Sequence, residues 1–176
     1  MRLVFMNISS TTLPTPTPDI ERQYDHLIDD LTKETGRLEQ VLGQRLHCRL
    51  GCAACCLTFS VFALEAAMIA KRAAGLTAAR PIPGACIFLE NGLCRIYPFR
   101  PIICRSQGLP LAYADEERQC LEVSACLINF PEDTEFVMEE LLLFDEVNRR
   151  LATLNISYCR HNQLDPGRRL ALAEIL

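Results

Sequence analysis

No stretch of this chain approaches the roughly 18 uninterrupted apolar residues that a membrane-spanning helix needs. The opening residues, MRLVFMNISS, carry one Arg and an apolar run of four residues. A secretory signal requires an apolar core of roughly 7–15 residues at that place. A cytoplasmic protein with no membrane partner is therefore expected. Positive charge is also scarce. The formal net charge is -4 and the isoelectric point about 5.4, which argues against a broad nucleic-acid footprint. No glycine-rich nucleotide loop and no convincing catalytic triad can be found. There is no internal repeat and no composition break that would mark a second domain. These absences leave the question of an enzyme open.

What is abundant is cysteine, with ten residues in 176. Reducing compartments keep thiols from pairing, so a cytoplasmic protein with so many suggests metal ligation or thiol chemistry rather than disulfides. Their placement is uneven. Residues 48–56 read CRLGCAACC, with Cys48, Cys52, Cys55 and Cys56 inside nine positions. Adjacent cysteines are a strained choice for a mutual disulfide, which again favours ligands.

The regular elements frame this cluster. LPTPTP at residues 13–18 is a short extended linker, because its prolines fix φ and remove donors. Residues 1–18 are expected to form a flexible arm and Pro-rich linker, with a short strand possible through RLVFM. Residues 19–176 then form a single domain. Thr17 can cap a helix and Pro18 suits its first position. Ile20, Tyr24, Leu27, Ile28, Leu31, Leu38, Leu42 and Leu46 recur at helical spacing, which predicts an amphipathic helix of about seven turns reaching almost to Cys48. SVFALEAAMIAKRAAG predicts a second helix with Ser60 as cap and Gly75 as stop. PEDTEFVMEELLLFDEVNRRLATLN returns to the helical period, with acidic residues at its start and Arg149 and Arg150 at its end. A last short helix is expected in DPGRRLALAEIL, with Asp165 as cap.

Residues 76–130 are different. Prolines and turn dipeptides interrupt them, and five of the ten cysteines fall there. CIFLENGLCRI reads as a hairpin turning at Asn91-Gly92, which would make Cys86 and Cys94 neighbours. A long segment with little regular structure needs something to order it, and a metal would do so. The fold class expected is mainly α: a small helical framework holding an irregular cysteine-rich insert with a short β-hairpin.

Local geometry constrains the nine-residue cluster. On a helix, adjacent residues diverge by about 100°. Cys55 and Cys56 cannot share a face unless the backbone leaves the helix, and Gly51 points to a tight loop just before them. A loop lets Cys52 and Cys55 bite one metal as a CxxC pair, and the other member of the doublet is then free to serve a second site. The spacing of Cys48, Cys52 and Cys55 also matches the radical S-adenosylmethionine motif. No repeated strand–helix alternation or glycine-rich segment accompanies it here. Cys159, alone between predicted helices, reads best as a small core residue. Arg95, Arg100 and Arg105 recur beside the later cysteines in CRIYPFRPIICR. Their guanidinium groups can offset thiolate charge and donate hydrogen bonds, or contact an anionic ligand or an acidic protein partner.

CRLGCAACC, CIFLENGLCRIYPFRPIICR and ACLINF together resemble the YkgJ-like cysteine-cluster family, also called the CxxCxxCC zinc- or iron-chelating domain. The resemblance spans about Cys48 to Phe130. It includes the Cys55-Cys56 doublet, the Asn-Gly turn between Cys86 and Cys94, the string Tyr97, Arg100, Pro101, Cys104 and Arg105, and Cys126 with Asn129. The first spacing is three residues here, where the family's name has two. The resemblance implies a bacterial metal-binding protein with ligands at Cys48, Cys52, Cys55, Cys56, Cys86, Cys94, Cys104 and Cys126. The expected cofactor is an iron–sulfur cluster, with a zinc or iron ion as the alternative. The role is then structural, electron-transfer or metal-handling, with a cluster-dependent enzyme or a thiol redox switch as the other readings.

Overall fold

The computed structural model describes residues 13–77 and 82–175. The arm over residues 1–12 and its short strand lie outside the described residues. Helix α1 spans Pro18–Leu42, and the Thr17 side chain accepts a hydrogen bond from the Ile20 amide at 3.4 Å. Its buried stripe runs through Tyr24, Leu27, Leu31 and Leu38. At Gly43, with φ 51°, the chain leaves the α-helix for one 3-10 turn over Gly43–Arg45. Cys48 thus follows a helix end, as the periodicity implies.

The second helix is shorter than its sequence suggests. Ser60–Phe62 form a strand, β1, and α2 begins at Ala63 and ends at Arg72. Val61 and Phe62 are β-branched and aromatic, which suits a strand. They pair antiparallel with a distant partner, Arg169–Ala171, described below as β7. That tertiary pairing displaces Ser60 from the cap position. Next comes the expected hairpin. Strands β2, Leu89–Glu90, and β3, Leu93–Cys94, turn through Asn91 at φ 51° and Gly92 at φ 78°. Positive φ at both central residues is the type I′ requirement that selects Asn-Gly.

A short helix, α3, covers Ile102–Ser106. Strands β4, Leu111–Asp115, and β5, Cys120–Ser124, form a second hairpin that the sequence reading did not anticipate. Its connection, Glu116 to Gln119, lacks the Asn-Gly signature, although Gln119 takes φ 52°. Strand β6, Leu142–Leu143, pairs with β4 in parallel. This pairing corrects the third predicted helix. Residues 131–143 carry one 3-10 turn, Met138–Glu140, and no α-helix; α4 spans Phe144–His161. Its acidic first turn is Asp145 and Glu146, and its basic last turn is Arg160 and His161, so Arg149 and Arg150 lie mid-helix. The final predicted helix is also replaced. Asp165 accepts from the Gly167 amide in a tight turn, β7 follows at Arg169–Ala171, and a 3-10 turn closes at Leu172–Glu174. The expectation of a mainly helical framework holds, with more sheet than the sequence suggested.

One apolar core joins all of this. Tyr24, Leu27, Leu31 and Leu38 of α1 meet Leu64, Met68 and Ile69 of α2 and Leu151 and Tyr158 of α4. Phe88, Ile96, Ile102 and Phe130 also belong to it, each at most 2 % exposed. These four lie two residues after Cys86, two after Cys94, two before Cys104 and four after Cys126. Each buried side chain fixes a loop to the core and so fixes the cysteine beside it.

Candidate metal centre

The cysteine cluster is built on two successive tight turns. The Cys52 amide donates to the Arg49 carbonyl, and the Cys56 amide to the Ala53 carbonyl, both at 2.9 Å. Gly51 has φ 89°, which a side chain would oppose. The backbone is therefore not helical through this stretch, so the helical divergence of adjacent residues does not apply, and the Cys55 and Cys56 side chains stay within hydrogen-bond reach of each other. From Cys56 the chain joins the hairpin loop: the Cys86 amide donates to the Cys56 carbonyl at 3.0 Å, and Leu57 bridges Ala85.

The electrostatics link the thiols in a chain, with Cys55 and Cys56 as the joint. Burial pushes the Cys55 thiol up to about 11, and charge at Cys56, Cys52 and Cys48 adds to it. Cys56 is raised first by burial, then by Cys94 and Cys86, and is lowered by Arg100. Burial raises Cys86, while an N–H from Phe88 lowers it and Cys94 raises it. Cys104 is pushed up to about 12, by burial first and then by Cys86 and Cys94, with Arg100 opposing. Such influences act over short range. Cys86 and Cys94 act on both Cys56 and Cys104, so these four lie in one half-buried region. Cys48, Cys52 and Cys55 form a second group at the rim, with Cys48 and Cys52 exposed. Among the described residues, no three Cys, His, Asp or Glu side chains converge closely enough as they lie to clasp an ion. The thiols are gathered by region and not closed into a cage.

Cys48 has its own seat. Asn129, 7 % exposed, accepts from the His47 amide at 2.9 Å and donates to the Gly108 carbonyl at 2.7 Å and to Cys48 Sγ at 3.3 Å. Gly108 has φ 94°, and a Cβ there would fall 2.5 Å from Cys48 Sγ. Asn129 hangs from a turn in which the Asn129 and Phe130 amides both donate to the Cys126 carbonyl, at 2.9 and 2.8 Å. Cys126 is thereby tied through three residues to the seat of Cys48.

The remaining cysteines stand apart. Cys159 is fully buried in the core, and its thiol contacts the Asn155 Oδ1 at 3.6 Å. Cys120 is exposed on β5, opposite Asp115. All ten thiols are free.

The three arginines differ sharply. Arg95 donates to the Thr77 carbonyl at 2.6 Å and faces Glu90 at 3.5 Å. Arg105 donates to the carbonyls of Arg100 at 2.8 Å and Pro98 at 2.5 Å, so it braces the loop. Arg100 lies over the Tyr97 ring at 3.7 Å, and its buried Nε has no hydrogen-bond partner among the described residues.

Two side chains that the sequence reading passed over also shape the site. Glu65, 2 % exposed in α2, accepts from the Ile102 amide at 2.9 Å and so anchors the start of α3, which carries Cys104. Burial pushes its carboxyl up to about 7. An acid inside the apolar run FALEAAMIA was the available signal. Gly108 left none.

Residues 47–126 match the CxxCxxCC family, described as a putative zinc- or iron-chelating domain. No curated protein and no solved structure matches the chain. The CxxCxxCC segment takes in both thiol groups, the Asn-Gly hairpin, α3 and the β4–β5 hairpin, and ends at Cys126. Asn129 lies just past it. Among the described residues, no helix is long and apolar enough to cross a membrane.

Proposed function

We propose that this chain is a cytoplasmic iron–sulfur protein whose CxxCxxCC domain divides its thiols at the Cys55-Cys56 doublet. Cys56, Cys86, Cys94 and Cys104 form the principal ligand set, and four thiolates are what such a cluster takes. Cys48, Cys52 and Cys55, with Cys126 on the adjoining turn, form a rim set. The observation that carries this reading is the backbone bond that joins the Cys56 loop to the Cys86 segment leading into the hairpin of Cys94, with Cys86 and Cys94 close enough to act on Cys56 and Cys104. The donor chemistry fits as well. Four soft sulfurs make an anionic centre, and a buried guanidinium N–H without a partner stands beside them. When bound, the cluster would supply electron transfer or structural cross-linking of the loops.

The chain's own contribution is positional. Phe88, Ile96 and Ile102 pin the three later cysteines to the core, Glu65 holds α3, and Asn129 holds Cys48. Because the thiols lie apart as they stand, loading requires side chains to turn or loops to close. Burial keeps Cys55 and Cys104 protonated near neutral pH, so uptake releases protons.

Protein purified without air, with iron, sulfide and zinc measured together, tests the proposal. Iron and sulfide in matching amounts, with visible absorption lost in a Cys104→Ser variant, are expected. Colourless protein with stoichiometric zinc would overturn the cluster and keep chelation by the same thiols. Metal content unchanged by Cys104→Ser would overturn the ligand set.

A further inference from the structure

We propose that Arg100 is the hydrogen-bond and charge partner of the half-buried thiolate centre, donating its Nε–H to a metal-bound sulfur. This rests on the chelation reading above and names a residue that acts on the centre without ligating it.

Three observations converge on Arg100. Its Nε is buried and has no hydrogen-bond partner among the described residues. A buried N–H left unpaired is costly, and native structures rarely tolerate one. Its guanidinium plane is held over the Tyr97 ring at 3.7 Å, which removes most of the freedom to swing toward water. Its charge reaches both Cys56 and Cys104.

The neighbouring arginines make the contrast. Arg95 is spent on Thr77 and Glu90, and Arg105 on two carbonyls of the loop that carries Arg100. Arg105 thus fixes the backbone and Tyr97 packs on the guanidinium, which leaves an unspent buried donor whose charge reaches thiols that become anionic only when ligated. Protonated thiols have little need of that N–H, whereas thiolates bound to metal are strong acceptors.

Cobalt(II), added without air to the full chain, is the probe, because its sulfur-to-metal charge-transfer band reports thiolate basicity directly. Arg100→Gln is expected to weaken cobalt binding about 10- to 100-fold, the usual effect of removing a hydrogen-bonding partner of a ligand. The band should move to lower energy, since an unpaired thiolate gives up charge more readily. Arg100→Lys should recover part of the affinity through its charge but keep the shifted band, because it has no Nε–H. Arg95→Gln is the control and should leave the band in place. If Arg100→Gln fails to fold, the band of Arg100→Lys carries the test. An unshifted band with affinity within about twofold of the parent would overturn the role of Arg100. So would an equal shift in Arg95→Gln. A parent chain with no cobalt–thiolate band, or a Cys104→Ser variant that binds as the parent does, would instead overturn the chelation reading and this proposal with it.

Discussion

Gly108→Ala tests the seat of Cys48, because two glycines with nearly equal φ differ in what surrounds them. Gly108 has φ 94° and Gly75 has φ 88°. A Cβ at Gly75 meets nothing within 4 Å, whereas at Gly108 it falls 2.5 Å from Cys48 Sγ and 3.5 Å from Asn129 Nδ2. Forcing alanine into the left-handed region costs about 1–2 kcal/mol at either place. In a chain of this size that lowers the melting temperature by about 2–8 °C. At Gly108 overpacking adds about 1–3 kcal/mol where the neighbours cannot move. The Cys48 thiol can escape by turning about its single χ angle, so the low end of that range applies. It cannot escape and also keep the Asn129 hydrogen bond. Gly108→Ala should therefore melt below Gly75→Ala and leave Cys48 more open to alkylation, read by mass spectrometry of the labelled peptide. Adding Cys48→Ala to Gly108→Ala should bring the loss back to within about 0.5 kcal/mol of the Gly75→Ala value. Equal melting temperatures for the two single variants, with unchanged labelling of Cys48, would refute the seat.

Three further outcomes follow from the same geometry. Cys159→Ala removes a fully buried core sulfur, so it should cost about 1 kcal/mol in a denaturant melt and leave the metal content unchanged; lost metal would place Cys159 among the ligands. Because burial lifts the Cys55 and Cys104 thiols to about 11 and about 12, metal must displace protons from them at neutral pH. Apparent zinc affinity should then rise about tenfold per pH unit for each proton released, and an affinity flat between about pH 6 and 8 would refute thiol ligation. Glu65 has its folded pKa raised from 4.5 to about 7, so it destabilises the fold once ionised. Relative to Glu65→Gln, the parent should be most stable below about pH 4.5 and lose about 3 kcal/mol as pH rises to about 7; parallel stability curves for the two proteins would refute this.

The fold was legible where a local signal was strong. Thr17-Pro18 and the α1 stripe gave that helix its start and its buried face, and Asn91-Gly92 gave the hairpin its turn. It was illegible where a distant partner decided. ALEAAMIA is strongly helix-forming and its apolar pattern runs back through SVF, yet those three residues pair with Arg169–Ala171, more than a hundred positions on. LLLFDEV keeps a helical period, yet Leu142 and Leu143 lie against β4. In both places the chain places a strand directly before a helix. Periodicity cannot mark that boundary, because an apolar residue suits either side of it.

The site divides in a similar way. That the cysteines gather on a few loops was legible, since their spacing and the Asn-Gly turn are local. How the thiols group was legible only as far as the argument that Cys55 and Cys56 need a backbone break to share a face. The structure carries that argument further. Because the Cys56 carbonyl accepts from the Cys86 amide, the second member of the doublet is bound by backbone to the hairpin, while the first stays with the turn of Cys52. The doublet is therefore a junction between two loops and not a pair of equivalent ligands. A single residue inserted between Cys55 and Cys56 should therefore lengthen the path between the two loops and lower the metal content of the purified protein; unchanged metal content would refute the junction.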